Sequence, residues 1–239
     1  MIKTFILAAG EGTRLHPLTV DMPKPMVPIN NRPLLEITID QLCRQGLTEL
    51  IINLHHRPKA ITDHFGNGAT FGVHITYSYE EELLGTAGAI KKVGSLLQDT
   101  FVVIYGDVLT NIDYRRLISF HKKKGALVTL SLYQVDNPTQ VGLVEFDKDN
   151  RVTAFKEKPD ADQVFTNLAN AGVLICEPGI LDAIPEATFF DYGHDLLPLL
   201  LVQDQLLYGL PIQEDTYLVD VGTQEKYERA QEEWPRYVD

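Results

Sequence analysis

Residues 7–26 read LAAGEGTRLHPLTVDMPKPM and follow directly on an apolar N-terminal run. An apolar run of this kind predicts a β-strand. Gly10 and Gly12 come immediately after it, and two isolated cations, Arg14 and Lys24, follow. Glycine lets a backbone approach a ligand closely, and successive amide N–H groups in such a turn can bind an anion. The stretch therefore predicts a strand that ends in a phosphate-binding turn, as in α/β proteins.

Two common phosphate-binding patterns do not fit this turn. A P-loop requires a second glycine five residues after the first, and a dinucleotide-binding loop requires its third glycine at the same place; here that position is Leu15. A third arrangement remains, a G-x-G-T-R turn that leads into a helix, with a lysine further along. In it Arg14 can bind phosphate oxygens in a forked geometry, and Lys24, flanked by prolines, can act as a second point charge.

Apolar runs and helical periodicities alternate over the first ~135 residues. Pro33 and Gly46 bracket one clear helical pattern, and Thr86 is a predicted N-cap of another. The order predicts an α/β fold, a Rossmann-like, mostly parallel mixed sheet flanked by helices. Strands are predicted over residues 3–9, 50–54, 73–77, 101–105 and 126–135, and helices over residues 33–45, 59–65, 86–97 and 114–124.

The pattern changes after residue 135, where a smaller β lobe is expected. Residues 142–147 and 151–156 predict a hairpin, because the turn-like sequence DKDN separates them. A strand is predicted over residues 171–176, a helix from Pro178, a helix over 195–202, a strand over 217–221 and a helix over 223–234.

Composition excludes some classes of protein. The chain has 239 residues and a formal net charge of −12, which argues against nucleic-acid binding because that requires a basic face. No apolar run approaches the ~20 residues of a membrane helix. Cys43 and Cys176 lie far apart without metal-binding spacing, as in a reducing cytoplasm. We therefore expect a cytoplasmic protein without a membrane partner; its oligomeric state is open, with a homodimer as one alternative.

LAAGEGTRLHPLT, followed by PKPMVPI, resembles the signature of the sugar-1-phosphate nucleotidyltransferases, also called nucleotide-sugar pyrophosphorylases. The resemblance implies that a sugar 1-phosphate attacks the α-phosphorus of a nucleoside triphosphate and that pyrophosphate leaves. It implies Mg²⁺ as the cofactor. It also implies one catalytic domain over residues 1–239, with a nucleotide-binding half, 1–135, and a sugar-phosphate-binding half, 136–239.

The resemblance also implies roles for individual residues on the nucleotide side. Arg14 would contact the departing phosphates, and Lys24 would neutralise charge at the reacting phosphate. Asp107 and Asp220 each lie at the end of a predicted strand, and together they match the family's two metal-binding aspartates, although a lone aspartate there is often only a cap or turn residue. The implied nucleotide-binding residues are Leu7, Ala8, Ala9, Gly10, Gly12, Thr13, Arg14, Lys24, Gly85, Thr86 and Asp107.

Further motifs imply a site for the sugar phosphate. FKEKP resembles a family element in which Lys158 binds the phosphate and Glu157 a sugar hydroxyl. Asp195 is either a further sugar ligand or the N-cap of a helix. The implied catalytic residues are Arg14, Lys24, Asp107 and Lys158, and the implied substrate-binding residues are Gly142, Glu157, Lys158, Asn170, Gly172 and Asp195.

Two further stretches indicate which nucleotide and which sugar the resemblance implies. They are the loop LGTAG, residues 84–88, and the sequence FDYGHDLLP. Both look most like mannose-1-phosphate and heptose-1-phosphate guanylyltransferases, so GTP is the first expectation and UTP, CTP or dTTP the alternatives. Many mannose-specific members carry a C-terminal β-helix, and no six-residue repeat predicts one here. A non-catalytic nucleotide-sugar sensor is the competing hypothesis, but the retained cations and aspartates favour an enzyme.

Overall fold

The computed structural model describes residues 1–237 of the chain. Within that range, every helix is too short or too polar to span a lipid bilayer. The α-helices are α1 (Leu34–Arg44), α2 (Pro58–Phe65), α3 (Gly85–Lys92), α4 (Tyr114–Lys124), α5 (Leu197–Val202) and α6 (Gln224–Glu233). The strands are β1 (Lys3–Leu7), β2 (Pro28–Ile29), β3 (Arg32–Pro33), β4 (Glu49–Leu54), β5 (His74–Tyr79), β6 (Phe101–Tyr105), β7 (Val108–Thr110), β8 (Val128–Gln134), β9 (Gly142–Phe146), β10 (Val152–Glu157), β11 (Leu168–Cys176), β12 (Leu207–Pro211) and β13 (Leu218–Asp220).

The chain forms two compact units, and each is built from separate segments of sequence. The first unit comprises residues 1–82, 104–114 and the part from 213 onward, and the second comprises residues 83–103 and 115–212. The assignment of a nucleotide-binding half to residues 1–135 and a sugar-binding half to residues 136–239 stays a prediction.

A parallel sheet forms the centre of the first unit. Strand β1 pairs in parallel with β4, and β4 pairs in parallel with β5. Phe5 and Ile51 are direct partners and are both buried, as expected for strands covered on both faces. Helix α1 buries Leu34 and Leu35, which confirms the predicted helix over residues 33–45.

A two-stranded sheet of β7 and β13 also belongs to the first unit. Strands β7 and β13 pair antiparallel, with Asp220 opposite Val108. Helix α6 begins after Thr223, whose side chain accepts a hydrogen bond from the Lys226 amide. Trp234, just beyond the helix, is buried in an apolar cluster with residues of β7 and β13. This packing fixes the last strand, and with it Asp220, in the first unit.

The second unit is largely antiparallel. The predicted hairpin is confirmed as β9 and β10, and β11 pairs antiparallel with both β9 and β8. Strand β12, which the sequence patterns did not predict, pairs in parallel with β8. The chain therefore has the predicted α/β fold, with a mixed sheet and flanking helices.

Three local predictions were wrong, and a fourth, the helix from Pro178, was right in its start but not in its helix type. The glycine-rich turn leads into a single 3₁₀ turn, Thr13–Leu15, rather than a helix. The segment from Pro178 is also a 3₁₀ helix, Pro178–Ala183. The helix predicted over residues 86–97 ends at Lys92, and Leu84 rather than Thr86 occupies its N-cap position. The helix predicted from residue 195 begins instead with a π turn, Tyr192–Leu196, and Asp191 caps it.

A buried polar cluster lies in the second unit. The His121 side chain is 1% exposed, and its Nε2 lies 3.1 Å from Glu177 Oε1. A carboxylate only accepts hydrogen bonds, so Nε2 carries the proton and Nδ1 accepts one from the Thr129 hydroxyl at 2.9 Å. Burial lowers the pKa of His121 below its ordinary value of 6.5, against the opposing effect of Glu177.

This cluster predicts that the stability of the fold decreases in mild acid. Since the pKa of His121 is lower in the folded chain, its contribution is complete above about pH 6.5 and is lost as the pH falls through the lower folded value. The urea midpoint of the wild-type chain should therefore fall on acidification below pH 6.5, and His121→Gln should reduce that decrease. His74→Gln, at a histidine whose side chain is 64% exposed, is the control. Equal acid sensitivity in His121→Gln and wild type would contradict the interpretation.

Candidate active site

The glycine-rich turn lies in the first unit, between β1 and the 3₁₀ turn that contains Arg14. Gly12 has a φ of +67°, and a Cβ atom there would lie 2.9 Å from the Lys24 Cβ. Its carbonyl accepts a hydrogen bond of 2.7 Å from the Thr19 hydroxyl. Gly10 is exposed, and a Cβ atom there would meet nothing within 4 Å. The fold thus requires glycine at position 12, whereas position 10 leaves open space above the backbone.

Lys24 joins this turn to two carboxylates. It begins a 3₁₀ turn, Lys24–Met26, and is 8% exposed. Its Nζ lies 2.5 Å from Asp107 Oδ2 and 3.7 Å from Asp220 Oδ1. Burial of an unpaired ammonium group costs free energy, so the two carboxylates are what allows the Lys24 ammonium to be buried. The structure therefore brings together three of the residues that the sequence predicted.

Backbone contacts hold the two carboxylates beside the end of β1. The Gly106 amide donates to the Leu7 carbonyl at 2.9 Å, and a Cβ atom at Gly106 would lie 2.6 Å from that oxygen. The Val221 amide donates to the Asp107 carbonyl at 2.8 Å. Glycine at 106 is thus needed for the close approach that places Asp107 beside the glycine-rich turn.

Asp107 and Asp220 have the chemistry that a divalent cation requires. Oδ1 of Asp220 is buried and has no hydrogen-bond partner, although Lys24 lies 3.7 Å away. Hard cations such as Mg²⁺ prefer oxygen ligands and usually take one or two carboxylates from the protein. No cluster of three or more histidine, cysteine, aspartate or glutamate side chains occurs among residues 1–237. Asp107 and Asp220 thus offer the one or two carboxylate ligands that such an ion takes from protein.

Arg14 lies close to the Asp220 carboxylate. A Cβ atom at Gly222 would lie 3.2 Å from Arg14 Nη2 and 2.9 Å from Asp220 Oδ1. Arg14 is exposed and makes no ion pair with any residue of the described chain. Its guanidinium is therefore available to an anionic ligand.

Sequence reasoning missed the residue that holds the start of the turn. Asn53 Oδ1 accepts a hydrogen bond of 2.6 Å from the Ala8 amide, and its Nδ2 donates to Glu80 Oε1 at 2.6 Å. Both side chains are buried. An asparagine within the apolar strand sequence LIINL was the available signal, because a buried amide needs polar partners. Ala9 is buried after Ala8, and Thr13 is exposed on the 3₁₀ turn.

In the second unit, Glu157 lies between two glycines. A Cβ atom at Gly142 or at Gly193 would lie 2.5 Å from Glu157 Oε2. Burial raises the pKa of this carboxyl group, and Lys158 partly opposes the effect. Gly142 and Glu157 are also direct partners in the β9–β10 pair. The hairpin thus brings together two of the predicted substrate-binding residues.

Lys158 follows Glu157 in an unusual backbone conformation. Its φ is +42°, a value that side chains other than glycine rarely adopt, while its amide donates to the Val141 carbonyl at 3.1 Å. Its Nζ is 3.9 Å from Glu157 Oε1, and its side chain is 59% exposed. Strained residues of this kind cluster at functional sites.

Asn170 and Gly172 form an irregularity in strand β11. The register with β8 shifts between Asn170 and Leu174, and Gly172 has a φ of +77°. The Gly172 amide donates to Asn170 Oδ1 at 3.2 Å. Such bulges commonly redirect a side chain next to an active site.

Gly85 and Thr86, which were predicted to bind the nucleotide, make structural contacts within the second unit. Gly85 has a φ of +74°, and a Cβ atom there would lie 2.6 Å from the Phe190 carbonyl oxygen. The Thr86 hydroxyl donates to Asp191 Oδ2 at 2.8 Å and accepts from the Tyr192 amide at 2.7 Å. Both residues therefore support the Phe190 segment, and their contact with a nucleotide stays a prediction.

Asp195 is not the N-cap that was one of its two predicted roles. Asp191 caps the turn by accepting hydrogen bonds from the Gly193 and His194 amides. Asp195 Oδ2 accepts from the Asp191 amide at 2.8 Å, which closes the turn from the other side. Sugar binding by Asp195 stays a prediction.

Comparison with known proteins finds a matching family model and several relatives of this chain. Residues 3–236 match the family model described as "Nucleotidyl transferase". A UTP–glucose-1-phosphate uridylyltransferase of Synechocystis is 34% identical over 96% of this chain, and a mannose-1-phosphate guanylyltransferase of Mycobacterium tuberculosis is 36% identical over 96%. The match covers 62% and 63% of those two relatives, so the chain spans a little over three fifths of their length.

Two further matches extend over the whole of the other protein. A D-glycero-α-D-manno-heptose 1-phosphate guanylyltransferase of Aneurinibacillus thermoaerophilus is 33% identical, over 99% of this chain and 100% of its own. The solved structure of HddC from Yersinia pseudotuberculosis, complexed with GMP-PN, has a TM-score of 0.82 and 29% identity, over 98% of this chain and 100% of that one.

Two glycines of the site differ in how closely other atoms approach them, and this difference can be tested by substitution. Gly106→Ala should destabilise the chain by about 1–3 kcal/mol, because the new methyl group would overlap the Leu7 carbonyl. Gly10→Ala should leave the free energy of unfolding nearly unchanged, since the added Cβ atom has open space. Urea denaturation of both variants measures this. A loss at Gly10 as large as that at Gly106 would contradict the assignment.

Proposed function

Because the chain belongs to the nucleotidyl transferase family, we propose that it transfers a nucleotidyl group from a nucleoside triphosphate to a sugar 1-phosphate and releases pyrophosphate. The observation that carries the proposal is the buried Lys24 ammonium between Asp107 and Asp220. Transfer at a phosphate depends mainly on positioning and on neutralisation of charge. Lys24, Arg14 and a cation held by the two carboxylates would provide that charge.

The residues of the first unit would act on the triphosphate. The open space above Gly10 would allow phosphate oxygens to approach the backbone of the turn, where amide groups can bind them. Arg14 would bind the departing phosphates, and Lys24 would stabilise charge at the reacting one. Asp107 and Asp220 would hold a divalent ion, which we propose to be Mg²⁺; when bound, it supplies further positive charge to the phosphates.

The residues of the second unit would bind the sugar 1-phosphate. Lys158 would pair with its phosphate, and Glu157 would hydrogen-bond to hydroxyl groups of the sugar. The absence of side chains at Gly142 and Gly193 leaves room for the Glu157 carboxyl group. No general base is needed, because a sugar phosphate is already ionised near neutral pH. Asn170 and Gly172, at the bulge of β11, would complete the sugar site.

We propose GTP as the nucleotide and a mannose- or heptose-type sugar. In support, relatives from Mycobacterium tuberculosis and Aneurinibacillus thermoaerophilus are named guanylyltransferases for mannose 1-phosphate and a manno-heptose 1-phosphate. UTP is the second candidate, because the Synechocystis relative is named a uridylyltransferase at a similar 34% identity.

A substrate panel tests the proposal. Pyrophosphate release should be measured with Mg²⁺ for GTP, UTP, CTP and dTTP, each with mannose, heptose, glucose and N-acetylglucosamine 1-phosphates. The largest kcat/KM is expected with GTP and a manno-configured sugar, and Asp107→Asn should reduce it by about a hundredfold or more, because a charge at the reaction centre is lost. Folded protein that binds a nucleotide sugar but turns over no pair would favour the sensor hypothesis instead.

Two neighbouring lysines give a matched test of the sugar-phosphate site. Lys158→Ala should raise the KM for the sugar 1-phosphate by about ten- to a hundredfold, because a charge-assisted hydrogen bond is removed. Lys156→Ala, at an exposed lysine on the same hairpin, should change it little. Steady-state kinetics at saturating nucleotide measures both. Equal effects of the two substitutions would show that Lys158 contributes only general charge.

A further inference from the structure

Lys226 is a third cation, besides Lys24 and Arg14, near the Asp220 carboxylate. No sequence motif pointed to it. It lies in the first turn of α6, where its amide donates to the Thr223 hydroxyl oxygen at 3.4 Å. Its Nζ lies 3.3 Å from Asp220 Oδ2, and its side chain is 43% exposed. The cap fixes the backbone of Lys226, while the flexible stem leaves the ammonium free to change partners.

The two oxygens of Asp220 have different surroundings. Oδ2 accepts the hydrogen bond from Lys226, whereas Oδ1 is buried without a hydrogen-bond partner and has the Lys24 ammonium at 3.7 Å. The ammonium groups of Lys24 and Lys226 thus balance the charges of Asp107 and Asp220 in the ligand-free chain. A divalent cation at the carboxylates would make both ammonium groups surplus there.

The position of Lys226 is unfavourable for a cation unless anions are near. The N-terminus of an α-helix carries partial positive charge, so a lysine in its first turn is repelled by the helix it belongs to. Arg14 adds further positive charge near Asp220, because a Cβ atom at Gly222 would lie 3.2 Å from Arg14 Nη2 and 2.9 Å from Asp220 Oδ1. Asp220 offsets this charge in the free chain, and a polyphosphate would offset it better.

We propose that Lys226 is a further ligand of the nucleotide's polyphosphate, which pairs with Asp220 in the free chain and transfers to the phosphates when a divalent cation binds that carboxylate. The inference rests on the proposed function and deepens it, because it assigns Lys226 two competing partners. Lys226 should therefore oppose binding of the cation alone and favour binding of the polyphosphate together with the cation. A residue that only stabilises the fold would not have these opposite effects.

The test compares Lys226→Gln with wild type in two binding measurements. Mn²⁺ binding without nucleotide, followed by electron paramagnetic resonance, should become tighter by about two- to fivefold, because a competing ion pair is lost. Inorganic pyrophosphate and GTP, titrated calorimetrically with Mg²⁺, should bind about two- to fivefold more weakly, whereas GMP should be unaffected. Lys226→Arg should stay close to wild type in both.

Lys123→Gln is the matched control, since it removes the same charge from an exposed lysine of α4. It should change neither measurement. If Lys226→Gln changes both affinities in the same direction, or neither, the inference is wrong. If wild type itself binds neither Mn²⁺ nor pyrophosphate, the proposed function fails before the inference is reached. Should Lys226→Gln fail to fold, Lys226→Met carries the same test.

Discussion

The first unit depends on one electrostatic constraint, the burial of the Lys24 ammonium. An isolated charge in the interior costs several kcal/mol, and pairing it with carboxylates offsets that cost only if the geometry is close. The 2.5 Å contact with Asp107 requires the end of β6 to lie against the end of β1, which in turn requires Gly106. The approach of Lys24 likewise requires Gly12. One ion pair thus accounts for two glycines and for the alignment of two strand ends.

The same constraint explains why the centre suits a ligand that carries many charges. Removal of one partner from a buried pair leaves the other charge uncompensated, so the free chain keeps its carboxylates beside ammonium groups. The carboxylate of Asp220 retains one buried oxygen without a hydrogen-bond partner, and Arg14 has no ion pair within residues 1–237. A cation and a polyphosphate arriving together would satisfy both groups at once.

Sequence reasoning singled out Lys24, Asp107 and Asp220, which the structure brings together, because local chemistry marks these positions. Asp107 follows the apolar strand β6 and Asp220 ends β13, and the carboxyl ends of strands are where α/β sheets bind ligands. Errors arose where a distant residue decides. Thr86 could not be recognised as a support for Asp191, because the two lie 105 positions apart in the chain. The role of Lys226 depends on a side-chain contact with Asp220 rather than on a motif.

Local patterns also failed where a helix turned out to be a 3₁₀ turn. The glycine-rich turn is followed within a few residues by Pro17, and the chain then folds back so that the Thr19 hydroxyl donates to the Gly12 carbonyl. A longer helix from Thr13 could not continue through a proline, which lacks the amide that the helix requires. Positive charge for an anionic ligand would therefore come from Arg14, Lys24 and the amides of the turn rather than from a helix N-terminus.

The carboxyl group of Glu157, in the second unit, has surroundings that differ from those of Asp107 and Asp220. Asp107 and Asp220 lie against ammonium groups, which favours binding of charged ligands. Glu157 is enclosed by the backbone of two glycines, and burial raises its pKa. A carboxyl group whose proton is held more readily is suited to hydrogen-bond a neutral hydroxyl rather than a metal ion. The two kinds of carboxyl environment are consistent with the proposed roles, in which Asp107 and Asp220 would hold a cation for the triphosphate and Glu157 would hydrogen-bond to the hydroxyl groups of the sugar.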